Sequence, residues 1–169
     1  SRLAIGLMKF SNEEYQPAVA DFTEVINRFP KNKNAFYHRG QAQALLGKPA
    51  DAVADFDKAI QLDTKFKEAY LERGKSKNEM EDFMGAHRDL DAYLTLNPNE
   101  KEALVLRGEI KINLKNYPAA IEDFDKAIAI DPQFATAFIN RGVAKMLKGE
   151  NQSAITDFHA AIGIAPQNP

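Results

Sequence analysis

Apolar positions along this chain fall into helical faces that recur at a fixed distance. Ala18, Ala52, Ala86, Ala120 and Ala154 are each followed four residues later by Phe22, Phe56, Leu90, Phe124 and Phe158. Three residues further stand Val25, Ala59, Tyr93, Ala127 and Ala161. The i, i+4, i+7 spacing places each set on one face of an α-helix, the B helix of a unit. An A helix precedes it, in which Phe36, Tyr70, Leu104 and Phe138 share a face with Gly40, Gly74, Gly108 and Gly142 four residues on. Gly6 continues the register backwards.

The period is strict. Arg39-Gly40, Arg73-Gly74, Arg107-Gly108 and Arg141-Gly142 succeed one another at 34 residues, which predicts stacked repeats over 1–32, 33–66, 67–100, 101–134 and 135–168. Pro30, Pro98, Pro132 and Pro166 close the B helices, with Thr64 in the remaining slot. Pro17, Pro49 and Pro118 suit the first turn of a B helix, where a missing N–H removes no helical bond. The prediction is one all-α domain over 1–169, ten helices of about 12–14 residues joined by short loops.

The period, the glycine of helix A, the Ala-x-x-x-Phe of helix B and the closing proline resemble the tetratricopeptide repeat over the whole chain. The Asp-Phe-Asp-Lys-Ala-Ile segments at 55–60 and 123–128 are most similar to bacterial members. The resemblance implies an α-solenoid, a right-handed superhelix whose A helices line a concave groove that holds a peptide or a partner helix without catalysis. The other functions it allows are a structural, oligomerising segment and a regulatory module of a larger enzyme. Some members grip a chaperone's C-terminal carboxylate through Lys, Asn and Arg on successive A helices. Those slots here hold Tyr37 and Gln41, then Glu72, then Glu102 and Leu106, so a carboxylate clamp is not expected.

Two slots depart from the family pattern. The residue before glycine is Arg39, Arg73, Arg107 or Arg141, and three after glycine stand Lys9, Gln43, Lys77, Lys111 and Lys145. Asp21, Asp55, Asp89 and Asp123 each precede one of those arginines by 18 residues. Because helix B packs on the next helix A in a solenoid, the spacing predicts inter-repeat ion pairs Asp21–Arg39, Asp55–Arg73, Asp89–Arg107 and Asp123–Arg141.

Composition narrows the function. With 44% apolar and 27% charged residues the chain can build a core. A formal charge of −2 supplies no field to attract nucleic acid or an anionic membrane, and no apolar run approaches a membrane span of about 20 residues. Zero cysteines exclude disulfides and thiolate chemistry. His38, His87 and His159 lie in different repeats with no second histidine at helical spacing, so neither a metal site nor any other cofactor is expected. Gly74-Lys75-Ser76 ends like a phosphate loop but lies inside a helix, and Asp51, Asp55 and Asp57 lack the glycine and glutamate of a calcium loop. No nucleophile, base and acid stand at a recognisable spacing, so no enzymatic activity is expected.

The stripe of helix A one residue round from the glycine carries the binding expectation. It reads Leu3-Leu7-Ser11, Tyr37-Gln41-Leu45, Leu71-Lys75-Glu79, Val105-Glu109-Asn113 and Ile139-Val143-Leu147. With the neighbouring His38, Glu72 and Asn140, the candidate binding residues are Tyr37, His38, Gln41, Glu72, Lys75, Glu79, Glu109, Asn113, Asn140 and Val143. Glu72, Glu79 and Glu109 outnumber Lys75, so the expected partner is a protein or peptide with apolar anchors around one or two Lys or Arg. At the far end, Ile155 and Ile162 occupy slots held by Val53, Ile121, Ile60 and Ile128 in inner units. That face predicts either a longer native chain or burial against another molecule, self-association included.

Overall fold

A computed structural model describes residues 1–164, and among them ten α-helices and no strand are found. They pair as α1 (Arg2–Ser11) with α2 (Tyr15–Arg28), α3 (Lys33–Leu45) with α4 (Pro49–Leu62), α5 (Lys67–Glu79) with α6 (Phe83–Leu96), α7 (Lys101–Asn113) with α8 (Tyr117–Ile130), and α9 (Ala135–Lys148) with α10 (Asn151–Ile164). The helices group into two compact units, Ser1–Leu96 and Asn97–Pro169. Pro49 and Pro118 stand at the start of α4 and α8 as their N–H-free backbone requires. Pro166 of the closing-proline slot lies outside the described residues. Among the described residues no helix is long and apolar enough to cross a membrane.

Each helix pair closes on its small residues. Ala18, Ala52, Ala86 and Ala120 are fully buried, as are Phe22, Phe56, Leu90 and Phe124 beside them. The large residue of helix B lies directly over the glycine of helix A. A Cβ at Gly40 would sit 2.8 Å from Phe56, one at Gly74 2.5 Å from Leu90, and one at Gly108 2.5 Å from Phe124. Only a residue without a side chain admits that approach, which repays the propensity cost of about 1 kcal/mol for a mid-helix glycine.

The turn between the helices repeats as faithfully. The backbone N–H groups of Glu14, Lys48, Asp82, Asn116 and Glu150 each donate to the carbonyl five residues earlier, at Lys9, Gln43, Lys77, Lys111 and Lys145, at 2.8–2.9 Å. Such a closure needs one left-handed residue, and Glu13, Gly47, Glu81, Lys115 and Gly149 supply it with φ of 61°, 70°, 61°, 59° and 91°.

The charged slots pair differently from the sequence expectation. Arg39 donates from Nε and Nη2 to both oxygens of Asp55, at 2.8 and 2.7 Å. Arg73 does so to Asp89, Arg107 to Asp123 and Arg141 to Asp157. Each arginine thus grips the aspartate 16 residues after it, inside its own repeat, and the pairs Asp21–Arg39, Asp55–Arg73 and Asp123–Arg141 are not the ones formed. The lysine slot joins the same carboxylate: Lys9 reaches Asp21, Lys77 Asp89, Lys111 Asp123 and Lys145 Asp157, at 2.6–2.8 Å. Gln43 takes that place in the second repeat, where its amide, turned so that the nitrogen faces the carboxylate, donates to Asp55 over 2.8 Å.

A link between repeats does exist, through a different residue. The remaining arginine nitrogen donates backwards, Arg39 to Thr23 at 3.0 Å, Arg73 to Asp57 and Arg141 to Asp125 at 2.6 Å. Two residues along a helix turn it by about 200°, so Asp57 faces the following helix A while Asp55 faces its own. Each guanidinium also lies 5.4–5.8 Å over the aromatic three residues before it, at Phe36, Tyr70 and Phe138.

Candidate functional site

In the first unit the helix-A stripe gathers a polar cluster on an aromatic floor. Tyr37 is half-buried in α3, its ring 4.9 Å from that of Phe66 and 5.9 Å from that of Phe56. One turn on, Gln41 donates from Nε2 to the Tyr37 hydroxyl at 3.0 Å. The Gln41 carbonyl oxygen stands 3.0 Å from His38 Nδ1, which places the imidazole proton on that nitrogen. His38 stacks on Phe22 at 5.9 Å. Burial holds its pKa below the ordinary histidine value against the opposing effect of Gln41, so the ring is neutral at pH 7.

The acidic side of this cluster comes from α5. Burial pushes the Tyr37 phenol up to about 12, and the charges of Glu72 and then Glu68 push in the same direction. Glu72 is half-buried and accepts from Lys75 at 2.8 Å, with the lysine exposed. Leu71 is half-buried beside them, and Glu79 ends the helix exposed. Tyr37, His38, Gln41, Glu72 and Lys75 are therefore brought together within the first unit.

The second unit contributes its own smaller patch. Asn140 on α9 donates from Nδ2 to Glu109 Oε1 on α7 at 2.6 Å. Val143 is half-buried in α9, and Asn113 is the exposed last residue of α7. Val105, the first member of the α7 stripe, is buried and so belongs to the packing.

Phe66 and Glu68 were missed by the sequence reading of the stripe. Phe66 precedes α5, and the 34-residue register aligns it with Asn32, Glu100 and Phe134, so its aromatic character is not a feature of the slot. Glu68 sits at the start of α5, where the stripe has not begun. Among the described residues no three His, Cys, Asp or Glu side chains come together as metal ligands would.

Two family models match the chain, one described as tetratricopeptide repeat over residues 3–65 and one as TPR repeat over residues 108–149. No curated protein matches it. Among solved structures, a crystal structure of MamA is 26% identical and superposes with a TM-score of 0.93, covering 96% of this chain and 95% of its own. MamA from Desulfovibrio magneticus RS-1 is 20% identical at a TM-score of 0.95, over 99% of this chain and 94% of its own. YrrB, described as a TPR protein with an unusual peptide-binding site, is 23% identical at 0.90, over 99% of this chain and 86% of its own.

Proposed function

Because the chain belongs to the tetratricopeptide-repeat family, whose arrays are protein-interaction scaffolds, we propose that it binds a peptide or partner helix without catalysis, on its helix-A faces. In the first unit the site is Tyr37, His38, Gln41, Glu72, Lys75 and Glu79; in the second it is Glu109, Asn113, Asn140 and Val143. The partner presents apolar anchors on either side of one or two Lys or Arg.

The observation that carries this reading is the setting of Tyr37. Its ring rests on Phe56 and Phe66, burial holds the proton of its hydroxyl up to about 12, and the charges of Glu72 and then Glu68 act in the same direction. A tyrosine with an apolar face and a polar tip is a typical anchor of an interface. A field that favours the neutral phenol also favours an incoming cation, and Lys75 offsets only part of it because Glu68 and Glu79 stand on the same helix. The pattern is the opposite of a carboxylate clamp, since Glu72 occupies a slot where that clamp has asparagine and would repel a free carboxylate. YrrB's peptide-binding site, on a similar fold, supports a peptide as the class of ligand.

Peptide capture tests the assignment. Glu72→Lys and Glu109→Lys change half-buried charge on helix faces and are expected to keep full helicity in far-UV circular dichroism. Together they should weaken captured Lys- or Arg-containing partners at least tenfold, about 1.4 kcal/mol or more. A folded double variant that retains every partner of the parent contradicts the site.

A further inference from the structure

Two glutamates of the helix-A faces are held in different ways. In the second unit Glu109 accepts at 2.6 Å from the amide of Asn140, a neutral group, so that bond leaves its charge uncancelled. In the first unit Glu72 accepts at 2.8 Å from the ammonium of Lys75, three residues on along α5. Its carboxylate is already in contact with a cation. The 34-residue register sets this pair apart, because the same two slots hold Ala4 and Leu7, His38 and Gln41, Leu106 and Glu109, and Asn140 and Val143. No other repeat carries both an acid and a base there.

Lys75 is well placed to leave. Its side chain is 50% exposed against 24% for Glu72, so the ammonium can reach water while the carboxylate stays where it is. Glu79, the exposed last residue of α5, stands four residues after Lys75 and therefore one turn along the same helix face. The flexible four-carbon stem of a lysine spans that step. The two acids are not equivalent, since a glutamate N-terminal to its lysine is the favoured order on a helix and Lys75 to Glu79 is the reverse. Without a partner Lys75 therefore rests on Glu72, and a second cation at Glu72 leaves Glu79 to receive it.

We propose that Lys75 is a tethered competitor for the cation of the partner: a lysine or arginine side chain docks on Glu72 as the Lys75 ammonium leaves it for Glu79. This rests on the peptide-binding reading of the first unit and adds a regulation to it. A partner without a cation gains nothing by displacing Lys75. One with a cation binds less tightly than Glu72 alone would allow, in proportion to the fraction of time that Lys75 is off the carboxylate. Neutralising the Lys75 amine thus turns the site up.

NMR titration of the 169-residue chain tests this with an end-capped peptide that places a leucine on either side of one lysine. The proteins compared are the parent, Lys75→Met, Glu72→Gln and the double variant, with Lys75→Ala in place of Lys75→Met if helicity falls. An exposed pair is weak but holds Lys75 on Glu72 for most of the time, so Lys75→Met should tighten binding about two- to sixfold. In the Glu72→Gln background the same substitution should leave affinity unchanged, because nothing remains to compete for. Equal tightening in both backgrounds means that Lys75 acts only through its field, or that methionine adds an apolar contact, and overturns the proposal. An unchanged or weakened affinity of Lys75→Met overturns it as well, and both of these results leave the peptide-binding reading standing. A lysine peptide that binds none of the proteins overturns that reading and the proposal together.

Discussion

Asp157 and Asp125 hold the same arginine from two different environments. Both accept from Arg141 at 2.6 Å, but the Asp157 side chain is 4% exposed and also takes Lys145, while that of Asp125 is 54% exposed. Removing the buried carboxylate leaves two cations without their partner in a poorly solvated place, so Asp157→Ala is expected to cost about 3 kcal/mol or more in urea unfolding. Asp125→Ala should cost at most about 1 kcal/mol, as exposed pairs do. Burial pushes the Asp157 carboxyl up, yet the bonds from Arg141 and Lys145 outweigh it and hold the pKa below the usual 3.8. A folded-state value below the unfolded one adds stability that is complete above the unfolded value and is lost as acid titrates the folded carboxylate. Asp157→Asn should therefore flatten the fall of stability below about pH 4 as well as lower the plateau. The arginine and aspartate slots were visible in the sequence, but their pairing was not. In a 34-residue repeat an aspartate 18 residues before one arginine is also 16 residues after the previous one, and both spacings are equally strict. Only the packing of helix A on helix B within one repeat selects the second.

At the scale of the helix pair, the legible features were those that every repeat carries. The glycine of helix A and the large residue of helix B recur in all five units, and the structure sets them against each other at every pair. The left-handed turn residue was not legible, because only Gly47 and Gly149 mark it while Glu13, Glu81 and Lys115 hold the same backbone shape. Those three accept a conformation that disfavours an L side chain by about 1 kcal/mol or more. Lys115→Gly is expected to raise stability by up to about 1 kcal/mol, offset in part by the greater freedom of glycine in the unfolded chain. Gly108→Ala is the contrasting substitution: alanine is the better helix former, yet its Cβ would stand 2.5 Å from Phe124, and thermal unfolding should show a loss of about 1–3 kcal/mol. A gain in stability from Gly108→Ala would mean that helix propensity, and not the contact with Phe124, governs that position.

Across the molecule, the repeats share one structural plan and differ chiefly where helix A shows its second face. Tyr37 and Gln41 were legible as members of the helix-A stripe, and Glu72 as its neighbour, because they place polar groups beside a stripe that is apolar in the first and last repeats. Their mutual arrangement was not, since it depends on Phe66 and Glu68, which lie before the stripe in α5. The most direct test of peptide binding on these faces is amide chemical-shift mapping of the isotope-labelled chain, titrated with a peptide carrying two apolar residues around a lysine. The expected result is a set of saturable shifts centred on Tyr37, His38, Gln41, Glu72 and Lys75, weakened by added salt because the attraction is partly between charges. Saturable shifts confined to the B helices, α2, α4, α6, α8 and α10, with those five residues unmoved, would contradict the account.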